Sequence, residues 1–134
     1  MNAAHNASHL LDTATLLWAV SAPEKLSDAA RRVCTAGDSE PAVSAVSLME
    51  LIAKVQKGKL KLDPDPVQWW NRYVRLLGFF VLPLRPRHIE KLWGLPRLHH
   101  DRTSRLLIAQ AMAEGIPLVS SSVAVRQYSL DVVW

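Results

Sequence analysis

The chain has 134 residues, a length that suits one domain with a core of its own and needs neither disulfides nor a structural metal. Hydrophobic residues make up 49% and charged residues 21%, which excludes disordered, collagen-like and low-complexity classes. A formal charge of +4 with basic residues spread along the chain biases the partners toward phosphate-bearing or acidic molecules.

Cys34 is the single cysteine, so no intrachain disulfide and no cysteine-based zinc site can form. Its place in a helical apolar pattern predicts packing. No apolar run approaches the roughly 20 residues of a membrane span. The opening "MNAAHNASH" lacks the basic start and long apolar centre of a signal peptide, so a cytoplasmic location is expected.

In chain order, "HLL" is a short apolar run ending at Asp12, and "TATLLWAV" continues with helical spacing until Pro23. "LSDAARRVCTAG" reads as a helix capped by Ser27 and closed at Gly37. "PAVSAVS" is a small, β-branched run that turns into the helix "LMELIAKVQKGKL", closed by Gly58. "DPDPVQWWNRYVRLLG" sets Asp65 as a cap before Pro66 and stops at Gly78. The strand "FFVLPL" follows, then the short helix "RPRHIEKLWG". "HHDRTSRLLIAQAMAEG" is a helix ending at Gly115, and "IPLVSS", "VAVRQY" and "DVVW" supply a strand, a short segment and a last strand.

Strands alternating with helices predict one domain over 1–134 of the α/β class, a three-layer α/β/α arrangement around a central parallel sheet. In such sheets ligands bind beyond the carboxyl ends of the strands. Asp12 follows the first strand, Glu50 lies in the first turn of the helix after the second, and Asp101 stands at the entrance of the helix before the fourth. Together they can form an oxygen-rich cluster suited to Mg²⁺ or Mn²⁺. Singly, each is a helix cap: Asp12 for "TATLLWAV", Ser47 with Glu50 as an S-x-x-E capping box, Asp101 for its own helix. The adjacent tryptophans Trp69 and Trp70 on one helix predict that at least one faces outward or into an interface. Of the remaining tryptophans, core packing is the expectation for most.

With those residues placed, the chain resembles the PIN-domain nucleases, and within them the VapC-like toxins of toxin–antitoxin systems. The likeness rests on "LLDTATLLWAV", "VSAVSLMELIAKVQKGKL", Leu95-Pro96, the His99 and Asp101 pair, "RLLIAQAMAEG" and the final "VVW". It implies a PIN fold, a Mg²⁺ or Mn²⁺ site, endoribonuclease activity on RNA, and a cognate VapB-like antitoxin. A homodimer or a hetero-oligomer with that antitoxin is expected. Asp12, Glu50 and Asp101 correspond to metal-site acids of catalysis. Where the family writes "H-x-D-P-x-D-R", this chain has "HHDRTSR", so Ser104 takes the place of the core third acid. Where the family's strand ends in "V-T-x-D", this chain has "VSSS", so Ser122 takes the place of the fourth.

Each replacement removes one negative charge and one strong oxygen ligand. Weaker metal affinity and slower hydrolysis are the consequence expected of an enzyme. The alternative is a PIN-fold protein that has lost efficient hydrolysis and acts by binding antitoxin or RNA; a third is an α/β module whose acids are caps only. Thr13, Ser120 and Ser121 are candidate supports for an acid or a bound water. Arg102 and Arg105 are candidate phosphate contacts, and His99 and His100 candidate ligands or proton carriers.

Overall fold

The computed structural model describes residues 7–134, so most of the "MNAAHNASH" stretch lies outside the described residues. Five strands, β1 (His9–Leu11), β2 (Pro41–Ser44), β3 (Phe80–Leu82), β4 (Leu118–Val119) and β5 (Val132–Val133), form one sheet in the order β3-β2-β1-β4-β5. Every pairing is parallel. Six helices connect them: α1 (Thr13–Ser21), α2 (Asp28–Thr35), α3 (Ala45–Gln56), α4 (Pro66–Leu77), α5 (Pro86–Trp93) and α6 (Arg102–Glu114). The segment read as "VAVRQY" contains a short 3₁₀ turn, Ala124–Gln127.

Strand side chains alternate between two faces, and each face has its own core. Leu10, Ala42 and Leu118 pack with Val46, Leu107, Ile108 and Ala111 on the α6 side. Leu11, Val43 and Val119 pack with Leu16, Leu51, Trp69, Trp70 and Val74 on the α1 and α4 side. Leu10 lies opposite Ala42 and Leu118, and Leu11 opposite Val43 and Val119, so β1 is the spine of both layers. The three-layer parallel α/β expectation therefore describes the molecule.

Local chemistry sets the helix ends. Asp65 accepts from the N–H groups of Val67 and Gln68, Pro66 takes the first helical position, and Gly78 closes α4 at φ +74°. Gly115 closes α6 in the same left-handed conformation, at φ +69°. Ser27 caps α2 through the Ala30 N–H. Cys34 packs against the second core, and burial pushes its thiol up to about 11.

Two expectations need correcting. α3 begins at Ala45, capped by Ser44, whose hydroxyl accepts from the Val46 N–H at 2.9 Å. The same hydroxyl donates to the side chain of Gln110 in α6, so the cap is also tied to the opposite helix. Ser47 is thus inside the helix rather than at its start, the S-x-x-E box does not form, and Glu50 sits in the second turn. Trp69 and Trp70 are both buried, because α4 presents a stripe broad enough to hold two neighbours about 100° apart. Trp69 packs against Tyr73 at 5.5 Å between ring centroids. The outward tryptophan is Trp93, 93% exposed.

Candidate active site at the carboxyl edge of the sheet

The chain runs from β1 to β2 and β3 on one side, then returns to place β4 on the other side of β1. That reversal opens a crevice beyond the carboxyl ends of β1 and β4. Asp12 leaves β1 there, and Ser120 leaves β4.

Asp12 is held on several sides. Its backbone N–H donates to Val119 O at 3.0 Å, and its Oδ1 accepts from the Thr15 N–H at 2.8 Å and the Thr15 hydroxyl at 2.6 Å. The Thr15 hydroxyl also lies 3.1 Å from Val119 O, and Thr15 has no exposed surface. Asp12 is therefore the N-cap of α1 and at the same time a clasp across the β1–β4 seam. Thr15 was not singled out by the sequence reading. The available signal was a hydroxyl three residues after a cap aspartate, the spacing at which cap and first turn can bond.

Thr13 is buried and donates its hydroxyl to Ser47 at 2.8 Å. Ser47 and Glu50 lie three residues apart on α3 and so share a face. The Thr13–Ser47 contact brings the exit of β1 against the face of α3 that carries Glu50. Glu50 is largely covered, with its side chain 18% exposed, and pairs with Lys54 at 3.5 Å. Asp101 is exposed and caps α6 through the Ser104 N–H at 3.1 Å. Ser104 is half-buried, in line with Ile108 and Ala111 on the sheet-facing stripe of α6. Ser120 is fully buried and accepts from the Ser122 N–H at 3.1 Å; Ser121 is exposed.

Two candidates have other employment. Arg105 donates to Pro96 O, Leu95 O and the Tyr128 hydroxyl at 2.7–3.3 Å, which ties the loop before α6 to the helix. His99 bonds the same Tyr128 hydroxyl through Nδ1 at 2.8 Å. A further polar cluster was not anticipated. His88 is fully buried, accepts the Arg85 N–H on Nδ1 at 2.9 Å, and faces Glu114 with Nε2 at 2.8 Å, while Arg87 also pairs with Glu114. This cluster clamps α5 to α6 away from the sheet edge.

Among the described residues no three His, Cys, Asp or Glu side chains are gathered as a divalent ion requires. One oxygen of Asp12 is committed to Thr15, Glu50 leans on Lys54, and Asp101 is taken up by its cap. At the two altered positions stand neutral hydroxyls. As folded, these residues do not fit a preassembled metal centre. The edge offers one firmly placed carboxylate, Asp12, near Thr13, Ser47 and Ser120, with Glu50 on the same face of α3 as Ser47.

A parallel sheet with helices on both faces, and Asp12 where the strand order reverses, places the molecule among the α/β domains that build their sites at that edge. More narrowly, the chain belongs to the PIN domain family, whose model matches residues 9–122. Its fold is similar to VapBC2 from Rickettsia felis bound to a DNA fragment from their promoter, with TM-score 0.72 and 16% identity over 92% of this chain and 96% of that one. It is also similar to a toxin–antitoxin complex from Klebsiella pneumoniae, with TM-score 0.60 and 18% identity over 86% and 87% of the two chains. No curated protein matches significantly.

Proposed function

We propose that this chain is a VapC-like toxin component of a toxin–antitoxin pair, cytoplasmic, with RNA as its target and phosphodiester hydrolysis attenuated by Ser104 and Ser122. The observation that carries the reading is the pairing of a PIN domain over 9–122 with Asp12 fixed where β1 ends at the carboxyl edge of the sheet. PIN nucleases generally use divalent metal ions, and Mg²⁺ or Mn²⁺ is the cofactor proposed here, with Asp12, Glu50 and Asp101 as the acids that remain to attract it. A VapB-like antitoxin is the proposed partner, in a homodimer or a hetero-oligomer.

A second reading has its own support. The absence of a three-ligand cluster among the described residues favours a PIN protein that binds antitoxin or RNA and no longer cleaves. One experiment separates the two. The purified chain, Asp12→Asn, and the double variant Ser104→Asp with Ser122→Asp are each incubated with RNA and Mn²⁺, and ion binding is followed by calorimetry.

Cleavage by the unaltered chain that Asp12→Asn abolishes supports an attenuated nuclease. Cleavage seen only in the double variant supports the binding protein. If the double variant gains neither ion affinity nor cleavage, the assignment of the two serines to acid positions fails.

A further inference from the structure

α5 is held to the domain by very little apolar packing. Of its residues only His88 is buried; Leu92 reaches the first core in part, while Ile89 and Trp93 stand 52% and 93% exposed. By contrast α4 buries Trp69, Trp70 and Val74, and α6 buries Leu107, Ile108, Ala109 and Ala111. Two turns of helix do not hold themselves in water, so other contacts must keep α5 in place.

Those contacts are polar. His88 Nδ1 accepts the Arg85 N–H at 2.9 Å, which closes the helix entrance from within and leaves the ring proton on Nε2. Nε2 donates to Glu114, at the end of α6, at 2.8 Å. Arg87 pairs with the same carboxylate and donates to Ala113 O at 3.3 Å. The Glu114 side chain is largely out of water, where bonds to a charge are strong. Gln110, fully buried on α6, carries the line inward: its Nε2 lies 3.4 Å from both His88 Nδ1 and Pro83 O, and its Oε1 accepts the Ser44 hydroxyl. Ser44 in turn caps α3 at the Val46 N–H.

We propose that α5 is a conformational latch, which opens as a unit when the Glu114 contacts yield and whose opening is transmitted through Gln110 to the cap of α3. The opening is local because so little apolar surface is exposed with it. It is transmitted because a buried amide that loses one partner re-pairs the others. Ile89, Leu92 and Trp93 of α5 line an open groove with Val46 and Met49 of α3, so the open state is the one in which that groove loses a wall. At the far end, α3 carries Ser47, which bonds Thr13 beside Asp12. Neither a metal nor RNA enters the latch, and it operates whether or not the sheet edge cleaves.

Residue-resolved amide exchange on the folded full chain tests it. Glu114→Gln keeps the shape of the side chain and removes its charge, so the amides of Lys91, Leu92 and Trp93 should exchange about tenfold faster, a charged bond having become a neutral one. Arg87→Ala, at an exposed position that leaves the core intact, should raise the same rates about threefold. In both variants the Val46 N–H should rise as well, while the sheet amides of Leu10 and Asp12, bonded to Pro117 O and Val119 O, keep their rates. With Gln110→Met in place, Arg87→Ala should still speed α5 and add nothing at Val46. Unchanged α5 rates in both charge variants overturn the latch. So does an equal rise at Leu10 and Asp12, which makes the Glu114 contacts part of global stability. A rise in α5 that Val46 does not share, or one at Val46 that persists with Gln110→Met, overturns the transmission.

Discussion

Thr15→Val tests how firmly the fold holds Asp12. The two side chains have nearly the same shape, and Thr15 has no exposed surface, so the change deletes a hydroxyl without opening a cavity. Val119 O keeps the Asp12 N–H at 3.0 Å, and Asp12 Oδ1 keeps the Thr15 N–H at 2.8 Å, so no acceptor is left bare. What is lost is the 2.6 Å bond to a carboxylate. Bonds to charged groups contribute about 1.5–3 kcal/mol, and the better burial of a valine methyl returns part of it, so the expected loss is about 1–2 kcal/mol. For a chain of this size that is a fall in Tm of ~3–10 °C. Urea unfolding followed by circular dichroism measures it, with the midpoint moving and the slope unchanged. In a double-mutant cycle with Asp12→Ala the coupling should reach about 1 kcal/mol. A neutral or stabilising Thr15→Val, or additive losses in the cycle, would refute the clasp.

With its thiol pushed up to about 11 from an ordinary 9.0, Cys34 carries about a hundredth of the usual thiolate at mildly alkaline pH, so alkylation of the folded chain should be about 100-fold slower than of the unfolded chain. Burial lowers the His9 imidazole below its ordinary 6.5. The unfolded chain then takes up this proton first as pH falls, so the stability His9 contributes is complete above pH 6.5 and is lost as pH drops through the folded value. An NMR titration of the His9 ring with a midpoint at or above 6.5 would contradict this. Gly115→Ala forces a Cβ into φ +69°, and should cost about 1 kcal/mol in denaturant unfolding.

Much of the fold was legible because its signals are local. Asp65-Pro66 and Gly78 bracket α4, Asp101 and Gly115 bracket α6, and the short apolar runs between them have no room to be anything but strands. The carboxyl-edge position of Asp12 followed from order alone. What escaped the sequence depends on contacts across the chain. Ser44 rather than Ser47 caps α3 because Ser44 also reaches Gln110, 66 residues away. Trp69 and Trp70 are both inward because the second core surrounds α4 more widely than an amphipathic pattern implies. Whether Asp12, Glu50 and Asp101 draw together depends on side-chain commitments, to Thr15, to Lys54 and to the α6 cap, that no spacing announces.

The clasp at Asp12 bears on how the sheet finds its alignment. Strands of two to four residues offer few backbone bonds, and β1 puts a leucine on each face. A slip one way would carry Asp12 into the place of the fully buried Leu11, and the other way His9 into that of Leu10. Asp12 marks the observed alignment as well, since in it the Asp12 N–H and the Thr15 hydroxyl both meet Val119 O. The same aspartate is therefore a selector of strand alignment as well as a candidate catalytic acid, and a variant that silences it must be shown to have kept its sheet in step before its silence is read as chemistry.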